Sequence, residues 1–509
     1  MSLAGLTPFF RFLIQLPLVG NPCKMNHLTK YRENGRIWLI TTCLFFLASV
    51  VLFLYLQHSQ AFIYYYREQH QIFLMDQAYC MNLLKPIGGF AVLVSQWLIQ
   101  FFVLPYMGAI ITTLLCLISA VFFFLPFYRF VKYSWLILPL TFFPSVLYSL
   151  SLTDVSVPYE GLVAIVLVSI FLWLFSLLWK SRWYIKLIGG VMLFLPLYYL
   201  VGSVSFVFPK QNNPAFYALL KQIHYADTEE WDLLLKVEDI NASNDVQMNY
   251  LNLALSHQGL LLERLFAYQQ KDVGSLITRE TNYTDVSVLL SRIYYHIGAI
   301  GAAQNQAFSS MVGITYGNPS MAKLLVKTYL ISGFYALAEK QIKMLEKTWY
   351  YADWAREQRR FLYNDADVEN DLEFGAKRRN LASKDRFTML YGPMDDLVSI
   401  LNINPDNCVA SEYLLSMLLV SKDVNDINAF INQFAGKGCL ATIPQRLQEA
   451  MVIINERDPA FCREHGVSEE TMQAFAEFRQ TYMTLRSQGR DLRALAPQYG
   501  RTFWYHLIR

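Results

Sequence analysis

The sequence predicts an all-α protein in two unlike parts: a polytopic helical membrane domain, then an α-solenoid of paired helices. Three observations predict it. From Trp38 to Val207 the chain is apolar, and only Arg67, Glu68, Asp76, Lys85, Arg129, Lys132, Asp154, Glu160, Lys180, Arg182 and Lys186 carry charge. Each sits near the end of an apolar run; a charge at the centre of a spanning helix costs ~2.5–3.5 kcal/mol. After Pro209 the composition turns polar and amphipathic, and a pattern of Leu, Tyr, Gly and Ala recurs there after 35 residues.

Residues 1–36 read as a cytoplasmic N-terminal segment. Pro8 and Pro17 break the apolar run of 1–24, and no small-residue cleavage site follows it. Residues 1–24 are either an over-called extension, with translation starting at Met25, or an interfacial amphipathic segment. The membrane domain, 37–207, is expected to make five spans: 37–56, 108–127, 135–152, 162–179 and 185–206. Segment 89–104, with Ser95, Gln96 and Gln100, is expected to be interfacial or re-entrant. Cations in short loops mark the cytoplasmic side. They occur in the leader, at Arg129 and Lys132, and at Lys180, Arg182 and Lys186, while Glu68, Asp76, Asp154 and Glu160 lie in the opposite loops. An odd number of crossings places the N-terminus in the cytoplasm and the C-terminal part, 208–509, in the periplasm of a bacterial inner membrane. A crossing by 89–104 would reverse that side.

In the C-terminal part, Leu290-x3-Tyr294-x3-Gly298-x4-Ala303 recurs as Leu325-x3-Tyr329-x3-Gly333-x4-Ala338. Leu and Tyr four apart share a helix face, the Gly ends the helix, and the Ala lets a second helix approach closely. Weaker copies occur at Leu251, Leu255, Gly259 and Arg264, and at Leu414, Leu418 and Lys422. The period and the offsets resemble the tetratricopeptide repeat, with Tyr335 on a further consensus position. The chain departs from that repeat in lacking its opening Trp and closing Pro. The resemblance implies a tetratricopeptide-like α-solenoid, while a generic helical bundle is the bland alternative.

Chemistry is harder to find. No nucleophile elbow, metalloprotease, P-loop or dinucleotide motif is present. The eight histidines are dispersed, no CxxC pair occurs, and so no metal site and no cofactor is expected. Residues 208–509 hold 31 Lys/Arg and 35 Asp/Glu, an acidic balance that excludes a nucleic-acid partner. Cys43 and Cys116 read as small hydrophobes inside spans. Cys408, Cys439 and Cys462 share one compartment, so one disulfide (Cys408–Cys439 among the options) would leave one thiol over. His296 reads as a packed side chain, and the aromatic end, 500–505, as docked on the domain or the membrane surface.

The constellation left to weigh is the outer mouth of the membrane domain, where Glu68, Asp76, Asp154 and Glu160 are the candidate catalytic acids. An acid after the first span, followed by an interfacial helix, is similar to polytopic glycosyltransferases of the GT-C type. That similarity implies a lipid-phosphate sugar substrate, often with a divalent metal. Five spans are fewer than that class normally has, and the alternative is that these charges anchor loops.

Several stretches resemble one uncharacterised family: YYREQHQIFL, KPIGGF…LIQFF…PYMGA, NYLNLALSHQGLLLERLF, NPDNCVASEYLLSMLL and a terminal G-x-T-F-W-Y. Its members are multi-span inner-membrane proteins of Bacteroides-like bacteria with a helical-repeat tail. The resemblance implies an integral membrane location and carries over no catalytic residue. The functional expectation is a non-enzymatic membrane protein that presents a helical-repeat domain to a protein, peptide or envelope component, in contact with membrane lipid. The alternative is a membrane enzyme acting on a lipid-linked glycosyl substrate.

Overall fold

The computed structural model describes residues 27–128, 134–178, 182–202, 213–238, 240–381 and 392–509. The expected segment 1–24, the cations Arg129, Lys132 and Lys180, and the end of the last span (203–206) lie outside the described residues. The protein is all-α. Apart from one isolated bridge between Gln71 and Tyr316, every regular element among the described residues is helical.

Helix α1, His27–Glu68, is longer than the span 37–56 read from the sequence. No Gly or Pro occurs between Arg36 and Lys85, so nothing stops the helix where its hydropathy changes. Its environment changes instead. Trp38, Leu39, Phe46, Leu47, Val51, Leu54 and Tyr55 are exposed, whereas Leu56, Gln60, Ile63, Tyr64, Arg67 and Glu68 are buried. At 1.5 Å per residue the exposed stretch Trp38–Tyr55 is about 26 Å long, and the end from Tyr55 to Glu68 adds about 20 Å.

After α2, Gln77–Leu84, comes α3, Gly89–Ile99, which continues as a 3-10 turn to Val103. The start of α3 is fixed to the end of α7 (Trp183–Val201). The Gly88 N–H donates to the Tyr199 carbonyl at 2.8 Å, and a Cβ on Gly88 or Gly202, both at positive φ, would meet the other strand of backbone at 3.0–3.1 Å. Between them run α4 (Met107–Tyr128), α5 (Leu138–Ser151) and α6 (Glu160–Leu177). They close on α1 through Ala109, Cys116, Tyr148, Tyr159 and Leu162, all buried. Gly161 lets Tyr148 lie against α6; a Cβ there would overlap the phenol ring.

Among the described residues four helices, α1, α4, α6 and α7, are long and apolar enough to cross a membrane. The sequence reading had five. Its span 135–152 divides into a 3-10 turn, Ser134–Ile137, and the 14-residue α5, which carries Pro139 near its start and Pro144 inside. Proline removes a backbone donor and crowds the preceding turn, so this segment forms a shorter helix than its hydropathy suggests.

The C-terminal part begins with α8 (Pro214–Asp227) and α9 (Asp245–His257), followed by two helical hairpins. These are α10 (Thr284–Ile297) with α11 (Ile300–Gly313), and α12 (Pro319–Ser332) with α13 (Tyr335–Leu345). Leu290, Tyr294, Ala303, Leu325, Tyr329 and Ala338 are buried in their cores. Gly298 and Gly333 end α10 and α12 in the left-handed conformation, with φ of 93° and 74°. Both make the same pair of closing bonds. The amide after the glycine donates to the carbonyl of the motif tyrosine (Ala299 to Tyr294, 2.9 Å; Phe334 to Tyr329, 2.8 Å), and the glycine amide donates one residue further on. Gly259, in a weaker copy, closes α9 the same way, with Leu260 donating to Leu255 at 2.8 Å. Gly298 is constrained twice, because a Cβ there would meet Asn380 Nδ2 at 2.3 Å, whereas around Gly259 there is open space. At the last copy Lys422 takes the left-handed position (φ 62°) without glycine's freedom.

Helices α14 (Pro393–Ile403), α15 (Cys408–Ser421), α16 (Val424–Phe434), α17 (Gln445–Ile454) and α18 (Glu469–Ser487) complete the domain. Cys408 and Cys439 are joined by a disulfide, their Cα atoms 5.2 Å apart, and Cys462 is a buried free thiol. The aromatic terminus docks on the domain. Phe503 and Trp504 are buried, and Glu449 accepts from both: the Phe503 amide on its carboxylate and the Trp504 indole on its carbonyl, each at 2.7 Å.

The two parts form a common core. Ile63 of α1 belongs to the same buried cluster as Leu251, Leu290 and Leu414, and Ile72 joins Leu325 and Ile342.

Candidate functional site

The end of α1 is where the chemistry collects. Phe62 meets Tyr217, His224 and Tyr225 edge-on, and Tyr65 stacks on His224 at 4.1 Å. The Tyr66 hydroxyl donates to both oxygens of Asp285, at 3.0 and 3.1 Å. Arg67 is buried and donates to three carbonyls of the α5–α6 loop: Val157 (2.8 Å), Leu152 (3.0 Å) and Asp154 (3.0 Å). The Glu68 carboxylate, also buried, is held by two neutral donors, Tyr351 Oη and Gln69 Nε2, each at 2.7 Å.

Beside them is a cavity of about 200 Å³. Glu68 and Tyr66 of α1, Asp227 of α8, Ser320 and Lys323 of α12, and Tyr351 all face it. Asp227 is neutralised by an ion pair with Arg292, and Ser320 donates to Asp227 and accepts from Arg292, both at 2.9 Å. Burial brings the Arg292 guanidinium down to about 10. Burial also pulls the Lys323 ammonium below the usual lysine range, and nearby Lys327 adds to the effect. That ammonium rests over the Trp354 ring at 5.1 Å and makes no ion pair among the described residues. Burial lowers His224 as well, so the imidazole facing the cavity is the neutral form at neutral pH.

The four acids singled out in the sequence do not converge. Glu68 faces this cavity. Asp76 caps α2 through the amides of Ala78 and Tyr79, pairs with Lys347 at 2.6 Å, and lines a separate apolar pocket with Phe73, Cys80 and Trp97. Asp154 accepts from the amide and hydroxyl of Ser156 in a loop turn, and Glu160 opens α6. Among the described residues no three His, Cys, Asp or Glu side chains are grouped to hold a metal. Ser256 touches both His296 and Glu412, but Glu412 accepts from Ser256 (2.7 Å) while His296 contacts the same hydroxyl (3.1 Å). A relay would need the acid on the far ring nitrogen. His296 stacks on His257 at 3.6 Å; burial holds His257 near 4 and His296 lower than an ordinary histidine, so both are packed as neutral rings.

The sequence reading missed Asp227, Ser320, Lys323 and Tyr351. They lie more than 150 residues from Glu68 along the chain, and each sits in an ordinary amphipathic helix or turn. The available signal was faint: Lys323 is a lone cation in the apolar opening of α12, PSMAKLLV.

No curated protein and no solved structure matches the chain. A protein-family model does match, over residues 36–211 and again over 208–508, so both the apolar helices and the helical domain belong to one family description. The chain is a member of the Family of unknown function (DUF6057).

Proposed function

We propose that this is an integral membrane protein with its N-terminal segment in the cytoplasm and its C-terminal helical domain on the outer face. There, as in a bacterial periplasm, the domain binds a protein, peptide or envelope component. The observation that carries the membrane reading is the apolar surface. Large hydrophobic side chains are exposed on α1 from Trp38 to Tyr55 and along α7 from Trp183 to Tyr199, yet are mostly buried beyond them. A length of about 26 Å is close to the ~30 Å of a bilayer's hydrocarbon core, and an exposed apolar face of that size is unstable in water.

Three further features support the sidedness. The turn Ser134–Ile137 and α5 together extend about 29 Å, at 2.0 and 1.5 Å per residue, which suffices for a fifth, proline-kinked crossing. The Cys408–Cys439 disulfide fits an oxidising compartment. Trp97 and Phe101 gather with Trp349 and Tyr350 of the helical domain, a girdle of the kind that sits at lipid headgroups. Stacked helical hairpins, which present extended faces, support the binding role. The enzymatic alternative gains little, because Asp76 is occupied by a helix cap and an ion pair away from Glu68.

Washing isolated membranes with alkaline carbonate tests the membrane reading. The full chain is expected to stay with the lipid pellet, as spanning helices do. Quantitative release into the supernatant would mean that the apolar face is covered by protein rather than lipid.

A further inference from the structure

The cavity at the end of α1 is lined by an acid, Glu68, and a base, Lys323; among the described residues neither makes an ion pair, although each lies within the other's field. Lys323 has an aromatic ring beneath it and no carboxylate within ion-pair distance. Glu68 has two neutral donors and, among the described residues, no cation in contact. Asp227, the other carboxylate lining the cavity, is paired with Arg292 behind it. Burial makes both groups costly to ionise without a partner in contact, and a site that keeps one of each sign is complementary to a ligand carrying both. Tyr66 and Tyr351 beside Glu68 add π-faces of the kind that favour an ammonium group.

We infer that this cavity binds a small soluble zwitterion of the amino-acid type, its ammonium on Glu68 and its carboxylate on Lys323.

Size and charge narrow the class. About 200 Å³ is smaller than the ~300–1,000 Å³ of pockets that take drug-sized molecules, so the ligand is compact. A single lysine matches a monoanion; a phosphate group is better served by an arginine fork or several donors. Gly108, at the outer end of the α4 span, packs on Tyr64 one turn before Glu68, so the cavity lies near the membrane surface, and the vesicle arm of the titration separates a soluble ligand from a lipid headgroup. The inference does not depend on which side of the membrane the domain occupies.

Calorimetric titration of the full chain in detergent tests it. The probes are glycine, alanine and γ-aminobutyrate, with acetate and methylamine as half-ligands, and with phosphoethanolamine and phosphatidylethanolamine vesicles. At least one of the three amino acids is expected to bind, with each half-ligand weaker by about 10-fold or more. Each charged contact contributes roughly 10- to 100-fold, so Glu68→Gln and Lys323→Gln each lower the affinity by that factor, while Lys323→Arg retains most of it. Thermal melts without ligand show whether a variant is folded, and the half-ligand comparison needs no variant. The inference is overturned if none of the three amino acids binds, or if a half-ligand binds as well as they do. Binding of phosphoethanolamine or of vesicles alone, or wild-type affinity in both Gln variants, overturns it too.

Discussion

Arg67→Ala is expected to lower the stability of the protein by ~3–5 kcal/mol, the largest effect of any single substitution on this surface. The guanidinium donates to the carbonyls of Leu152, Asp154 and Val157 and lies buried between α1 and the α5–α6 loop. Hydrogen bonds from a charged donor contribute about 1.5–3 kcal/mol each, and alanine would also leave the carbonyls without partners. Water entering at the half-buried Asp154 offsets part of this, hence a value below the simple sum. Lys at this position recovers less than half, because an ammonium on a single stem cannot reproduce a planar fork that reaches three acceptors. Thermal unfolding in detergent, with intrinsic fluorescence as the signal, reads the difference. A shift no larger than that of an ordinary surface substitution would show that the loop is held by its own turns.

The second large effect concerns the disulfide. Cys408 opens α15 and Cys439 lies in the short turn Gly438–Leu440, 31 residues on. Closing a loop of that length removes unfolded-state freedom equivalent to ~3–4 kcal/mol in the chain-entropy account. Cys408→Ser with Cys439→Ser, or treatment with a reductant that reaches the exposed Cys408, is expected to destabilise the C-terminal domain by about that amount. The bridge also makes a claim about place, since it would be rare in a reducing cytosol. Maleimide labelling of untreated cells should therefore leave both thiols unmodified until reductant is added. Immediate labelling of both would remove the bridge and the support it gives to an outer location.

What was legible in the sequence was periodic or compositional. The all-α class follows from apolar runs and four-residue spacings, and the hairpin glycines 259, 298 and 333 stand out because a left-handed helix end favours glycine. Two kinds of information were not legible. Element length depends on breakers as much as on hydropathy. The absence of Gly and Pro after Arg36 extends α1 to Glu68, and Pro139 with Pro144 shortens the segment read as a fifth span. The cavity is assembled by tertiary packing. Glu68 was noticed as an acid near a membrane mouth, but its companions Lys323 and Tyr351 reach it only because the end of α1 is threaded into the core of the helical hairpins. No local pattern encodes that meeting, and the acids that did look alike in sequence, Asp76, Asp154 and Glu160, are held apart by a helix cap, a loop turn and a helix start.

The central claim is that α1 crosses the bilayer and carries the helical domain on the outer side. A reporter enzyme active only outside the cytoplasm, fused after Arg509, tests it most directly. Activity of that fusion, with silence from a matched reporter that works only in the cytoplasm, is the predicted result. The reverse pattern would mean an even number of crossings and a cytoplasmic helical domain, and would contradict the account.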